Sequence, residues 1–504
     1  MNIPSMKVLL INPITELIQR SRKLKTFVAP ILPMGIGSLA AVINEMGVEV
    51  KVIDQFANRI SDSALLNEIK AYSPDMIGFS CLTQAMHKVE ILVREIRKFS
   101  EAVIVLGGIH PTLFADQLLS SGVADVIVRG EGERSIAEVI TAMQQKSGLS
   151  QIKGISFSNE GRIFHNEDRP LVEDLDKLPY PAWNFFELEY YREAPLALIT
   201  NELAIPVLGS RGCPYKCMFC AQDIIYPRPR YRSSLGIIKE MEYFHGKFKA
   251  KRFGFIDANF PFSVEFGLEF CADLIRSGLH KKIRWATETR VNLVNEELLI
   301  MMKKAGVDLI MFGFEVGSQR ILNKINKNTA LDQSRKVMQI VKKLKINTLG
   351  LFMLGLPGET KDDCEETIRF AKELNPTIAK FNIAIPYPGS KFYLDFCKEG
   401  KNISDPEKFA SWHDWGNDNS EELIYVPDGM TSKDMLGFQR RAMFEFYARP
   451  GIIWDFIIHR RVGLKKLIYG AYILLSRYFL YLKNRFWNMP SHDFIGNESA
   501  LLRK

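Results

Sequence analysis

At 504 residues, 47% of them hydrophobic and 25% charged, the chain has an ordinary globular composition and room for two or three packed domains. That balance excludes a disordered chain. Seven cysteines, an odd number scattered over so long a sequence, exclude a disulfide scaffold and predict a reducing compartment.

Residues 6 to 146 alternate short apolar runs with amphipathic stretches. The runs Lys7–Ile11, Val48–Asp54, Asp75–Ser80, Ala102–Leu106 and Asp125–Val128 predict an α/β fold of five parallel strands with helices on both faces, a doubly wound sheet. Ligands of such sheets sit beyond the carboxyl ends of the strands, where strand order reverses. The loops to read are therefore Ser80-Cys-Leu-Thr83, Gly107-Gly-Ile-His-Pro-Thr112 and Arg129-Gly-Glu-Gly-Glu133. Paired glycines let a backbone approach a bulky ligand, although a double glycine after a strand is equally a plain turn.

Residues 147–200 read as a connector, with a hairpin over Gly154–His165 and an extended crossing at Leu178-Pro-Tyr-Pro-Ala-Trp183. Residues 201–400 hold a second alternation, with strands near 205–209, 253–257, 284–289, 308–315, 347–354 and 378–385. Helices such as Ser234–Lys249 and Asn295–Ala305 lie between them. Six such units resemble an open, partial (β/α)6 barrel, and barrel enzymes keep their chemistry at the carboxyl-end mouth.

The loop after the first of these strands reads Gly212-Cys-Pro-Tyr-Lys-Cys-Met-Phe-Cys220. Three thiolates at this spacing can hold an iron–sulfur cluster and leave one iron open, a position where a small molecule can bind and react. A zinc knuckle needs a fourth ligand nearby, and the next candidates are only His245 and Cys271. Cys81, Cys271, Cys364 and Cys397 read as buried free thiols. The other strands end in polar residues: Asp257-Ala-Asn259, Thr287-Glu-Thr-Arg290, Gly313-Phe-Glu315-Val-Gly-Ser318, and Gly350 through Gly355 to Glu359. Each alone is also readable as a structural ion pair or cap, and Glu359 with Thr360 reads as a helix start. A buried Glu315 requires hydrogen-bond donors or a cation beside it.

The cysteine spacing, with aromatic Phe219 before the last thiol, resembles the radical S-adenosylmethionine (SAM) superfamily. Together with the small-residue loops ahead of it, over about residues 6 to 400, the chain resembles the subclass that carries an N-terminal cobalamin-binding domain. The resemblance implies a Rossmann-like cobalamin domain over 1–146, the radical SAM core over 201–400, and a mostly helical, basic region over 401–504. It implies a 4Fe-4S cluster on Cys213, Cys217 and Cys220. It places the nucleotide tail of cobalamin along Ser80, Leu82, Thr83, Gly107 and Gly108. S-adenosyl-L-methionine would lie among Phe219, Asp257, Asn259, Thr287, Arg290, Glu315, Ser318 and Gly355, with Glu315 and Ser318 at its methionine or ribose part.

The implied chemistry is reductive cleavage of SAM, hydrogen abstraction from an unactivated carbon, and methyl transfer from cobalt to a small-molecule substrate. A reducing donor of flavodoxin or ferredoxin type would feed it. The loop Asn12–Arg20 has no histidine where many cobalamin domains carry Asp-x-His-x-x-Gly, so the resemblance puts an apolar or weakly polar group from residues 12–34 under the cobalt. Two alternatives stay open. One is a non-methylating radical cyclase of the anaerobic Mg-protoporphyrin monomethyl ester type, and the other a cobalamin-binding sensor or carrier with a silent barrel.

The net charge of +8 belongs to the tail, since from Phe438 onward twelve Lys or Arg stand against four Asp or Glu. Pro386-Tyr-Pro-Gly-Ser390 resembles the turn after the sixth strand of this subclass, and Trp412–Trp415 begins a region with no assignable chemistry. The apolar run Leu467–Leu482 has 16 residues and an internal Arg477, short of the roughly 20 that span a bilayer. With Lys465, Lys466, Lys483 and Arg485 at its ends it suits a helix at a membrane surface or beside a greasy substrate entrance, or a helix packed on the barrel. Basic charge confined to the tail, with no recognition motif, argues against nucleic acid. The N-terminus lacks the layout of a signal peptide, so the expected location is cytoplasmic, with peripheral inner-membrane contact under the first reading of the tail.

Overall fold

Residues 6–14, 30–192, 202–400 and 423–458 are described by a computed structural model of the chain. The first alternation folds into strands β1 (Lys7–Asn12), β2 (Glu49–Asp54), β3 (Met76–Ser80), β4 (Val103–Gly107), β5 (Val126–Val128), β6 (Ile155–Asn159) and β7 (Arg162–His165), in the sheet order β2-β1-β3-β4-β5-β6-β7. Strands β1 to β5 pair in parallel. Residues alternate between two cores, as the two-residue period of a strand requires: Val8 and Leu10 pack with Ile36 and Val105, while Leu9 and Ile11 pack with Ile77 and Leu106. Burial on both faces explains why these strands read as continuous apolar runs. Strand order reverses between β1 and β3, so the crevice expected to take a ligand opens at their carboxyl ends.

One expectation needs correction. The hairpin over 154–165 joins the first sheet: β6 runs antiparallel to β5 and β7 to β6, which makes the sheet mixed and not wholly parallel. β5 has only three residues, all buried, and would otherwise leave an open edge. Phe157 stacks on Phe164, with ring centroids 5.2 Å apart, to close it. The rest of the connector docks where its prolines carry it, with Trp183 fully buried and Tyr191 Oη donating to Asp54 at 2.7 Å.

The second alternation gives β8 (Ala204–Val207), a short antiparallel pair β9 (Ser210–Arg211) and β10 (Arg230–Tyr231), then β11 (Arg252–Phe255), β12 (Arg284–Thr289), β13 (Val307–Glu315), β14 (Asn347–Leu354) and β15 (Ile378–Ile383). Six of them form one parallel sheet, β15-β14-β13-β12-β11-β8. Side-chain caps start four of the intervening helices: Ser233, Ser263, Asn295 and Thr360 each accept a first-turn amide that otherwise has no partner. An aromatic layer of Phe255, Phe260, Phe270 and Trp285 fills the sheet-to-helix space. The Trp285 indole N–H is satisfied by the Ala305 carbonyl at 2.9 Å.

The edge strand β15 is covered by the Ser432–Tyr447 helix through side chains that complete its backbone bonds. Gln439 donates to the Phe381 carbonyl at 2.9 Å, and Tyr447 Oη bonds both the carbonyl and the amide of Ala379. A Pro450–Ile458 helix follows. Trp412–Trp415 and the apolar run Leu467–Leu482 lie outside the described residues. No described helix is long and apolar enough to cross a membrane.

Candidate active site

β9 and β10 are the two stems of the cysteine loop, with Arg211 opposite Arg230. Only glycine turns the chain into it: Gly212 has φ +90, and a Cβ there would stand 2.6 Å from the Arg228 carbonyl. The loop is pinned from the barrel side, since Met218 N donates to Ile325 O and Phe392 N to Met218 O, each at 2.9 Å. Met218 and Phe219 pack on the apolar cluster of Val316, Leu356 and Phe392.

Cys213 and Cys217 are half-buried, Cys220 reaches solvent, and all three thiols are free. Two receive hydrogen bonds, from Asn259 Nδ2 to Cys213 Sγ at 3.2 Å and from Arg290 Nη1 to Cys217 Sγ at 3.4 Å. Arg290 is itself braced. It stacks over the Tyr215 ring at 3.7 Å, donates to Asn292 at 3.1 Å and bonds the Lys327 carbonyl. Desolvation by the surrounding loop pushes the Cys220 thiol up, a hydrogen bond from the Gln222 backbone opposes it, and the neighbouring Cys217 and Cys213 add to the rise. Among the described residues no three His, Cys, Asp or Glu side chains converge on a single metal ion. A cubane takes each thiolate at a separate corner, so three cysteines spread over one loop, with N–H donors aimed at two of the sulfurs, fit such a cluster.

Above this loop the barrel lumen holds a balanced set of charges. A bulge in β13 gives Glu315 φ +62 and turns its carboxylate inward, where Lys327 donates to it at 2.5 Å with both side chains under 10% exposed. The cation that the sequence required for Glu315 is thus Lys327. Gly313 makes the room, because a Cβ there would lie 2.6 Å from Glu315 Oε1. Glu288, facing Glu315, Lys327 and Lys380, is pushed up to about 7, first by burial and then by Glu315.

The remaining sequence candidates stand at strand ends as expected, but several already have protein partners. Asp257 accepts both the Gly209 amide at 3.0 Å and Ser210 Oγ at 2.6 Å, bracing the turn before the cysteine loop, and burial pushes it up to about 7. Thr287 Oγ1 donates to the Phe260 carbonyl at 2.7 Å. Ser318 Oγ donates to Asp363 at 2.6 Å. Gly355, at φ +85, and Leu356 direct their amides at Glu359, which therefore ties the strand-end loop while Thr360 caps the helix.

In the first sheet, Cys81 N donates to Gly107 O at 2.8 Å, laying the loop after β3 on the loop after β4. Gly108 is what allows it: φ is +108, and a Cβ would meet the Cys81 carbonyl at 2.7 Å. A Cβ on Gly107 would meet nothing closer than 3.8 Å. Ser80 is half-buried and Thr83 buried against His110 Nδ1 at 3.3 Å; burial lowers the imidazole to about 4 and keeps it neutral. Leu82 is 62% exposed, an apolar side chain left open at the carboxyl edge of the crevice.

These edges face each other. Gln84 bonds Tyr387 Oη in the turn after β15, and Leu113 and Ile224 close over Gly389. Glu131 and Glu133, in the turn after β5, pair with Arg211 and Arg230. Sequence reasoning noted the glycines of Arg129-Gly-Glu-Gly-Glu133 and passed over its carboxylates; it also missed Lys327, Tyr215, Asn292 and Glu288.

The radical SAM superfamily profile matches residues 207–371, and the B12 binding domain profile matches residues 24–140. The chain joins a B12-binding domain to a radical SAM domain. Its cofactors are accordingly a [4Fe–4S] cluster with SAM, and cobalamin. It is similar to an uncharacterized methyltransferase of Pyrococcus horikoshii, 29% identical over 92% of this chain and 98% of that one. It is also similar to the anaerobic magnesium-protoporphyrin IX monomethyl ester cyclase of Rubrivivax gelatinosus, 29% identical over 80% of this chain and 71% of that one. The fold matches the radical SAM methyltransferase TsrM of Kitasatospora setae, solved with cobalamin and a [4Fe–4S] cluster, with a TM-score of 0.65 and 18% identity over 87% of this chain and 81% of that one.

Proposed function

We propose that this B12-binding radical SAM protein is an enzyme that methylates an unactivated carbon of a small molecule, hydrophobic or lipid-like in character. The observation that carries the reading is the opposition of the two edges, with the crevice carrying Leu82 and Gly108 turned toward the loop of Cys213, Cys217 and Cys220. When bound, the cluster supplies the electron that splits SAM into a carbon radical, and the cobalamin carries the methyl group. The chain's own residues hold and shield these reactions. The cysteines anchor the cluster at three corners, and Asn259 and Arg290 direct N–H groups at its sulfurs. Leu82 leaves an apolar side chain exposed at the carboxyl edge of the crevice. Contacts along the rim keep water from a radical that would otherwise be quenched.

The match to a methyltransferase along 98% of its length favours methyl transfer, while equal identity to a cyclase keeps non-methylating oxidation as the second reading. Methyl-labelled SAM, with a flavodoxin- or ferredoxin-type donor and candidate hydrophobic substrates, separates them. Label is expected in the product; label that stays wholly in methionine while product forms establishes the oxidative reading. Anaerobically reconstituted protein should release 5′-deoxyadenosine, and Cys213→Ala should not. A chain that binds cobalamin but releases none from the wild type is a carrier or sensor. The exposed Ile453 and Trp454, followed by the basic, aromatic tail, support peripheral contact with an anionic membrane. Truncation after Phe446 is expected to abolish liposome association, and a full-length chain that does not associate overturns that part.

A further inference from the structure

Everything from Gly212 to Pro229, the three cysteines included, is a loop closed by two arginines that face each other across β9 and β10. Both guanidinium groups are buried, and both are held by the other domain. Glu131 Oε1 accepts from Arg211 at 2.7 Å and from Arg230 at 3.0 Å, and its Oε2 accepts from Arg230 at 2.8 Å. Glu133 takes the second amine of Arg211. The Val172 amide adds a further bond to Glu131 Oε2 at 2.8 Å, while Arg230 returns one to the Val172 carbonyl at 2.6 Å. Tyr226, inside the loop, lies under both guanidiniums at 5.9 and 6.0 Å. The four charged side chains are 3 to 8% exposed.

A buried ion network of this kind is weak evidence for stability, because apolar residues of the same volume serve at least as well. What it does provide is a fixed geometry and a fixed charge. Here one carboxylate grips both stems of one loop, and the nearer stem residue, Arg211, stands two residues before Cys213.

We propose that Glu131, assisted by Glu133, is a positioning residue for the cluster: the B12-binding domain clamps the stems of the cysteine loop and sets both its shape and the charge beside it. The inference rests on the reading of the three cysteines as cluster ligands. Removing the Glu131 charge leaves two guanidiniums facing one carboxylate. The added positive charge favours the reduced, more negative cluster, and the freed stems let the loop take more than one shape.

The test uses the full-length chain reconstituted without air. Iron content and the spin-resonance signal of the wild type come first; if the wild type shows no cluster, the functional reading fails and the clamp is not what failed. In Glu131→Gln the expected results are retained iron, an altered or heterogeneous resonance line, and a reduced-to-oxidised ratio about tenfold higher at a fixed potential, equivalent to about 59 mV for one electron. Glu131→Asp keeps the charge and shortens the reach, so its potential should stay with the wild type while its line shape moves. Loss of iron from a folded Glu131→Gln also supports the clamp. A midpoint potential and line shape identical to the wild type, with only a lowered melting temperature, overturn it. If Glu131→Gln does not fold, Glu131→Gln/Arg230→Met removes one charge of each sign. It should show the altered line with a near-native potential, and an unaltered line overturns the proposal.

Discussion

Glu288 is the carboxyl whose folded-state titration most directly exposes the electrostatics of the lumen. It lies one residue from the end of β12, opposite Met311 of β13. Burial, then Glu315, push its carboxyl up to about 7 from the ordinary 4.5, against the pull of Lys327 and Lys380. A raised carboxyl binds its proton more tightly folded than unfolded. Stability from this group is therefore complete below about pH 4.5 and is lost as the pH climbs through 7. At about 1.36 kcal/mol per pH unit, the loss is roughly 3 kcal/mol at pH 8 and under about 1 kcal/mol at pH 5. Glu288→Gln has no such proton to release, so it should be more stable than the wild type at pH 8, with most of the difference gone at pH 5. For a domain of this size that is a rise of roughly 6–12 °C in melting temperature. The assay is thermal unfolding of the cofactor-free pair of proteins at the two pH values. An equal shift at both, or a less stable variant at pH 8, refutes the account of the lumen.

Lys327→Met strands the Glu315 carboxylate and should cost about 3–5 kcal/mol in urea unfolding, whereas Glu315→Gln/Lys327→Met should recover most of it. Gly108→Val puts a side chain against the Cys81 carbonyl at a positive φ. It should abolish retention of cobalamin absorbance through gel filtration and cost about 1–3 kcal/mol, while Gly107→Ala retains the absorbance. Asn259→Leu removes the N–H donor on Cys213 Sγ, which leaves the sulfur more electron-rich and should lower the cluster midpoint potential in a spin-resonance titration; a rise refutes the role.

The sequence was most legible where one physical rule dominates. Strands buried on both faces read as apolar runs, and the helices read over Ser234–Lys249 and Asn295–Ala305 form where Ser233 and Asn295 each accept a first-turn amide. The partnership of β5 with β6 was hidden, because which strand completes an edge is decided by three-residue β5 and its neighbours in space. The mouth was legible in position and not in direction. Along Arg284-Trp-Ala-Thr-Glu-Thr289 no alternation of apolar and polar residues tells which side chains face inward. The fold turns the Thr287 hydroxyl to the Phe260 carbonyl and leaves Glu288 with the lumen charges. Lys327 could not be paired with Glu315 from spacing, since a bulge in β13 redirects the glutamate.

The rim contacts differ in kind, and the difference decides which of them is costlier to separate. At one point Gln84 and Tyr387 share a neutral hydrogen bond, and nearby the meeting of Leu113, Ile224 and Gly389 is apolar packing. At the other the domains are joined by two carboxylates and two guanidiniums, all buried. Separating that second contact exposes four charges that have no other protein partner of opposite sign among the described residues, whereas the Gln84–Tyr387 bond and the apolar packing near it involve no charged group. The charged contact is therefore the costlier of the two to separate, and it is the one that holds the stems of the cysteine loop.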